Sequence, residues 1–261
     1  MEKTKVLNID ALCITKEELL KGLDGNLRGE GGNGVLITPN LDHMVKLQAD
    51  EEFYRCYREA EWVVCDSKIL WLCSKLLPKS FPKSISGSSF FTDFYMYHKD
   101  DENCRIFLLG AKEGVAAKAM DKINAKAGRR IVVGAHSPSF GFENNQEEIR
   151  SICRIVNESG ANVVLVGVGA PKQEKFIMRY KSLMPDVRVW MALGATIDFE
   201  AGNKKRAPRW VQKIAMEWFF RMCCEPRRMF RRYICDDMVF FWYLLKQLSG
   251  RYRNPFVKGG E

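Results

Sequence analysis

The chain has 261 residues, a formal net charge of +9 and a hydrophobic fraction of 46%. This length and apolar content suit an α/β domain with an appendage and exclude a largely disordered chain. The longest unbroken apolar run, Met238 to Leu245, is far shorter than a bilayer-spanning helix, so we expect no segment that crosses a membrane.

Short apolar, β-rich segments alternate with longer helical ones along the first two hundred residues, which is the rhythm of β-α-β units. The pattern predicts a mainly parallel, Rossmann-like sheet with helices on both faces. The predicted strands are residues 34–37, 62–66, 105–110, 130–134, 162–167 and 187–192, and the predicted helices are residues 41–59, 113–127, 146–157 and 173–183.

The last 59 residues have a different composition. Residues 1–202 contain 27 basic and 27 acidic side chains, whereas residues 203–261 contain 14 and 5. Aromatic residues are interleaved with the arginines, and Pro226 is placed to restart a helix. We therefore predict an α/β core over residues 1–202 and a basic, aromatic-rich helical appendage over residues 203–261.

The composition of the appendage supports three interpretations: a solvated charged face, a nucleic-acid surface, or a module that binds a membrane surface. Apolar and aromatic residues beside the arginines argue against the first. We favour an anionic membrane surface as partner rather than nucleic acid, and a self-interface between copies is also possible. The nine cysteines contain no Cys-x-x-Cys pair, so we expect reduced thiols in a cytoplasmic protein, which the appendage would hold on the inner face of the membrane. The three histidines have no zinc spacing, so we expect no structural zinc, and we expect no cofactor.

Polar residues follow the first two core strands, at the edge of the sheet where ligands bind in open α/β folds. Thr38 and Asn40 end the first strand, although Asn40 is equally suited to cap a helix. Asp66 follows an apolar segment, where a partly desolvated carboxylate could accept a proton. Its alternative role is to cap the helix that begins near Ile69.

Two glycine-rich turns follow later strands. Gly167 to Glu174 runs from a buried strand into a helix start that could hold a diphosphate, or is simply a tight turn. It lacks the third glycine of the dinucleotide fingerprint, and the chain has no P-loop motif, which disfavours hydride transfer and P-loop ATP hydrolysis. The second turn, Gly194 to Phe199, places Asp198 where it could accept from a base or ribose.

The chain resembles the WecG/TagA/CpsF family of bacterial glycosyltransferases from Thr38 to Tyr233. The resemblance rests on several motifs in order: Thr38-Pro39-Asn40, Asp66, Ser86-Gly87-Ser88, Gly167 to Glu174, Gly194-Ala195 with Asp198-Phe199 and Ala201-Gly202, Lys205 to Trp210, Glu217-Trp218, and Glu225-Pro226-Arg227-Arg228. The chain departs from the family pattern at two places. Family members often carry Asp-Gly after the second strand, where this chain has Asp66-Ser67-Lys68, and Gly-Ser-Asp in the next motif, where it has Gly87-Ser88-Ser89.

The resemblance implies transfer of an N-acetylmannosamine-type or related hexose from a UDP-sugar to an undecaprenyl-diphosphate-linked sugar, with inversion and without a catalytic metal. The product would serve cell-surface polysaccharide or teichoic acid synthesis. Asp66 looks like the general base and Thr38 like its neighbour in the catalytic site. The expected substrate-binding residues are Asn40, Ser88, Phe140, Gly169, Lys172, Gln173 and Asp198, with Phe140 suited to stack on uracil.

The departing UDP gains negative charge, which many transferases meet with a cation bound at an Asp-x-Asp motif that this chain lacks. Arginines of the appendage could take that role at the membrane; the candidates are Arg221, Arg227, Arg228 and Arg231. Two other readings stay open. One is a nucleotide-using epimerase or dehydrogenase, and the other is a membrane- or nucleic-acid-binding scaffold with a non-catalytic core.

Overall fold

The computed structural model describes residues 1–32, 34–205, 207–208, 211 and 216–257. Within these ranges, six side chains of the C-terminal helices are outside the description: those of Arg221, Arg227, Arg228, Arg232, Ile234 and Cys235.

A six-stranded parallel sheet forms the centre of the fold and confirms the predicted α/β, Rossmann-like architecture. Its strands are β3 (Gly34–Ile37), β4 (Trp62–Val63), β5 (Ile106–Gly110), β6 (Val132–His136), β7 (Val163–Gly167) and β8 (Val189–Ala192). The spatial order is β4-β3-β8-β7-β5-β6, and every neighbouring pair is parallel. The central strands read as continuous apolar runs because both faces of the sheet are covered.

Helices pack on the two faces through separate apolar clusters. One face carries α2 (Leu41–Lys46), α3 (Glu51–Glu59), α4 (Lys68–Ser74), α7 (Gln146–Glu158) and α8 (Lys172–Tyr180). The other carries α1 (Lys16–Leu27), α5 (Gly87–Tyr97), α6 (Val115–Ala127) and α9 (Thr196–Glu200). Alternate residues of each strand contribute to opposite clusters, as the strand period of two requires.

The predicted helix over residues 41–59 is two helices, α2 and α3. Asp50 ends the continuity because its side chain accepts a hydrogen bond from Phe53 N at 3.0 Å and so caps a new helix. The strand predicted over residues 62–66 pairs only at Trp62–Val63. The antiparallel hairpin of β1 (Lys3–Val6) and β2 (Ile9–Leu12) was not predicted, nor was α5.

The C-terminal segment contains α10 (Glu217–Cys224), α11 (Pro226–Phe230), a π-helical turn (Arg231–Asp236) and α12 (Val239–Leu248). Helix α11 begins at Pro226, as predicted. Phe240 and Leu244 bury α12 against the core, and Gln247 bonds to the β1–β2 hairpin, accepting from Leu7 N at 2.8 Å. Among the described residues, no helix combines the length and apolar character needed to span a bilayer.

Candidate active site

A cleft of about 740 Å³ lies at the carboxyl edge of the sheet and is called the large cleft below. Strands β4, β3, β8 and β7 are neighbours, so the loops that follow them meet there. Seven of the residues predicted for the site line it: Thr38, Asn40, Asp66, Ser88, Gly169, Gln173 and Asp198. The fold therefore brings together residues that are up to 160 positions apart in the sequence.

Asp66 lies in the loop after β4 and is held against the start of α5. Its Oδ1 accepts a hydrogen bond from Gly87 N at 2.8 Å, and its own N–H donates to Pro39 O at 3.2 Å. The helix-capping alternative for Asp66 is wrong, because Ser67 caps α4 by accepting from Leu70 N at 3.3 Å. The Asp66 carboxylate therefore faces the cleft and the positive end of α5 rather than α4.

Gly87 permits this approach of α5 to the site. A Cβ atom at this position would lie 2.8 Å from Leu193 Cδ2 and 3.2 Å from Thr38 Oγ1. Both distances are tighter than ordinary packing, so a side chain would force α5 or its neighbours to move. The absence of a side chain at Gly87 thus lets the Ser86-Gly87-Ser88 segment pack against Thr38 and Leu193 at the cleft.

Thr38 and Asn40 continue the chain from β3 into the cleft. Thr38 is buried, with 6% of its surface exposed. The capping role considered for Asn40 is confirmed, since Asn40 Oδ1 accepts from His43 N at 3.2 Å at the start of α2. The same residue also lines the cleft, so capping fixes it at the mouth of the site rather than removing it from there.

Gln173 joins the two glycine-rich turns. Its Oε1 accepts from Gly169 N at 3.2 Å and from Gly194 N at 3.1 Å, while its Nε2 donates to Glu174 Oε1 at 2.8 Å. Gly169 has φ of +89°, in the left-handed region that favours glycine. Only 2% of the Gln173 surface is exposed, so this side chain holds the loops together from beneath the cleft.

Glu174 follows Gln173 and is completely buried. Burial raises its carboxyl pKa from the ordinary 4.5 to about 7, against the opposing effects of the Gln173 hydrogen bond and the nearby Lys46. A group of this kind was not singled out in the sequence. Its signal was a charged residue on the buried side of a predicted amphipathic helix.

Lysines supply positive charge to the cleft. Lys46, Lys204 and Lys205 are among its lining residues, and Lys204 Nζ lies 3.9 Å from Asp198 Oδ2. The sequence placed the last two in the basic appendage without assigning them to the site. Their positions after α9 give the cleft cations that could face an anionic ligand.

Two predicted residues lie apart from this group. Phe140 has a fully exposed ring, over which Lys172 Nζ lies 5.2 Å from the centroid, and Lys172 also forms an ion pair with Glu143. Neither residue is among those that line the large cleft in the described part of the chain. An aromatic ring at Phe140 is thus available at the surface beyond β6, not within the cleft.

The arginines proposed to neutralise a diphosphate lie in the C-terminal helices. Arg231 is exposed at the start of the π-helical turn and does not line the large cleft as the structure describes it. The side chains of Arg221, Arg227 and Arg228 lie outside the described residues. Their assignment stays a prediction from sequence.

A second cavity of about 310 Å³, called the small cavity below, adjoins the large cleft. The two share Asn40, Asp66 and Ser86. The rest of its lining comes from α2, α4, α10, the π-helical turn, α12 and the residues beside them, and it is largely apolar or aromatic. The apolar and aromatic residues are Leu41, Ile69, Trp218, Tyr233, Met238 and Phe241, and the polar ones are Ser67, Lys68, Glu217 and Asp237. Sequence reasoning missed this cavity because it depends on helices distant along the chain.

A cluster of side chains that carry metal-ligand atoms lies outside both cavities. Among the described residues, Asp24, His98 and Asp101 place one ligand atom each within 4.8 Å of one another. They lie at the C-terminal ends of α1 and α5, and Arg28 Nε already pairs with Asp24 Oδ2 at 3.0 Å. The cluster has none of the cleft residues.

Comparison with known protein families agrees with this arrangement. The model of the glycosyl transferase WecG/TagA/CpsF family matches residues 4–254, which is nearly the whole chain. The match includes the large cleft, the small cavity and the C-terminal helices. The chain therefore belongs to the WecG/TagA/CpsF family of glycosyltransferases and is an enzyme of that class.

Proposed function

We propose that this glycosyltransferase moves a hexose, of the N-acetylmannosamine type or a related one, from a UDP-sugar to a sugar linked to undecaprenyl diphosphate. The UDP-sugar binds in the large cleft and the acceptor sugar enters through the small cavity. The product belongs to cell-surface polysaccharide or teichoic acid synthesis, and the reaction inverts the anomeric configuration.

The observation that carries this proposal is that Asp66 borders both cavities. A general base must reach the acceptor hydroxyl while the donor's anomeric carbon lies directly beyond it. In the proposed step, the Asp66 carboxylate takes the hydroxyl proton as the acceptor oxygen bonds to the anomeric carbon. The bond from that carbon to the UDP oxygen breaks, and UDP leaves with the electron pair.

The lining of the two cavities fits these assignments. The large cleft offers the start of the nine-residue helix α8 and the side chains of Lys46, Lys204 and Lys205, which suit a diphosphate. The small cavity offers Ile69, Trp218 and Phe241, which suit the apolar faces of a sugar and the first part of a lipid carrier.

We further propose that the leaving diphosphate is neutralised by cationic side chains and N–H groups rather than by a bound metal. Lys204 and Lys205 are within the described cleft, and Arg221, Arg227, Arg228 and Arg231 are candidates to join them at the membrane. Loss of turnover in EDTA, restored by a divalent cation, would contradict this part of the proposal.

The appendage over residues 203–261 is proposed to bind the anionic inner face of the membrane. Its basic excess provides attraction of about 1 kcal/mol for each Lys or Arg near such a surface. Exposed apolar side chains accompany the charge: Phe230, Trp242 and Leu245 are each more than half exposed. Bound in this way, the appendage would bring the small cavity, which α10 and α12 help to line, close to the lipid-linked acceptor.

The first test measures UDP release from a panel of UDP-sugars, with and without a lipid-diphosphate-linked GlcNAc acceptor. We expect release with one class of donor that depends on the acceptor. Absence of release with every UDP-sugar, in the presence of bilayers and acceptor, would contradict the proposed donor and acceptor classes.

Substitutions in each cavity test whether the large cleft binds the donor and the small cavity binds the acceptor. Trp218→Ala removes an aromatic wall of the small cavity, so we expect the KM for the acceptor to rise about tenfold with little change in the KM for the donor. Asp198→Asn in the large cleft should have the converse effect. Equal changes in both constants for both variants would contradict separate donor and acceptor cavities.

A further inference from the structure

Glu174 stands out as a buried acid beneath the large cleft. None of its surface is exposed, and its Oε2 has no hydrogen-bond partner among the described residues. Its Oε1 accepts from Gln173 Nε2 at 2.8 Å. A carboxyl group in this position needs a reason, because an unsatisfied buried oxygen costs stability.

The neighbouring amide provides the reason. The oxygen end of Gln173 accepts from Gly169 N and Gly194 N, one from each glycine-rich turn. A planar amide cannot turn one end without the other, so an acceptor for Nε2 fixes where Oε1 points. Glu174 supplies that acceptor and thereby keeps the oxygen directed at both loops.

The surroundings disfavour the charged form of the Glu174 carboxyl group. Helix α2 contributes Lys46 and Asp42, which pair with each other at 2.9 Å, and α3 contributes Cys56 and Tyr57. Burial outweighs the attraction of Lys46, so the pKa of Glu174 is raised to about 7. In either protonation state the group retains an oxygen that can accept from Gln173.

Packing alone does not require an acid at this position. A methionine would fill a similar volume without leaving an unpaired oxygen, and a glutamine would preserve the acceptor without the acid. The two substitutions therefore separate volume from hydrogen bonding.

We propose that Glu174 is a positioning residue for donor binding: through Gln173 it keeps the β7–α8 and β8–α9 loops joined around the nucleotide's diphosphate. This inference rests on the proposed function for its assignment of UDP to the large cleft. The joining of the loops rests on the hydrogen bonds alone.

The test compares the wild type with Glu174→Gln and Glu174→Met, and uses Glu147→Gln as a control because Glu147 is exposed on α7. Hydrogen exchange of the peptides covering residues 167–171 and 193–196 reports the loops without any ligand. Titration calorimetry with UDP reports the diphosphate site, and steady-state assays separate KM from kcat.

We expect Glu174→Met to speed exchange in both loops about tenfold and to weaken UDP binding and raise the donor KM about tenfold, with a smaller change in kcat. Glu174→Gln and the control should resemble the wild type. If Glu174→Met does not fold, Glu174→Asp serves instead, since it withdraws the carboxyl group by one methylene and should open both loops.

Wild-type exchange in Glu174→Met would overturn the inference, as would a Glu174→Gln variant that fails as badly as Glu174→Met. The two proposals fail in different ways. A wild-type protein that binds no UDP would contradict the proposed function, whereas the exchange rates of the two loops would still decide whether Glu174 joins them.

Discussion

Replacement of Glu174 by glutamine should make the protein's stability less sensitive to pH. Glu174 is fully buried, and its pKa rises from 4.5 to about 7 on folding. Between about pH 4.5 and pH 7, the Glu174 carboxyl group therefore keeps its proton in the folded state and has lost it in the unfolded state. Stability falls as pH rises through that range, because folding must then take up a proton.

The magnitude follows from the shift. At about 1.36 kcal/mol per pKa unit, the wild type should lose on the order of 3 kcal/mol between about pH 4.5 and pH 7 through this one group, with no further loss above that range. The Glu174→Gln variant has no such proton to lose. The stability of the variant relative to the wild type should therefore rise by about 2.5 kcal/mol between pH 5 and pH 8.

Urea unfolding of the two proteins at intervals between pH 5 and pH 8 measures this difference. Contributions from the other titrating groups are common to both proteins and cancel in the difference. The exposed Glu147→Gln variant should show no such trend. A difference between Glu174→Gln and wild type that does not change with pH would refute the reasoning.

Three further substitutions test steric features of the fold. Gly87→Ala should lower turnover about tenfold while costing only about 1 kcal/mol of stability, since the added Cβ displaces the Gly87 N–H that holds Asp66. Unchanged turnover in this variant, or an equal loss of turnover in Ser89→Ala, would contradict the prediction. Gly22→Ala should destabilise by about 2 kcal/mol, because its Cβ would lie 2.0 Å from the Trp62 ring. Gly25→Ala in the same helix meets only ordinary contacts and should stabilise by about 0.5 kcal/mol, so thermal denaturation should move in opposite directions for these two variants.

The central sheet could be predicted from the sequence because its strands are apolar throughout. Strands β5, β7 and β8 are buried on both faces, so each is a short unbroken hydrophobic run between turns. The N-terminal hairpin was missed because only alternate residues of β1 are buried, and a four-residue strand gives little periodic signal.

The site residues after β3, β4, β7 and β8 could be placed at one edge of the sheet, since parallel strands share a carboxyl end. Their mutual contacts could not. The Gln173 bond to Gly194 N depends on β7 and β8 being neighbours, and the Gly87 bond to Asp66 depends on where α5 begins. The small cavity was beyond prediction because it is assembled from helices up to 200 residues apart.

Asp66→Asn tests the central claim most directly, because asparagine keeps the shape of the side chain and an oxygen that can accept from Gly87 N but cannot take the acceptor's proton. The measurement pairs UDP affinity by calorimetry with acceptor-dependent UDP release. We predict that UDP binding stays within about twofold of wild type while turnover falls by about 100-fold or more. Turnover within a few-fold of wild type would contradict the assignment of Asp66 as the base shared by the two cavities.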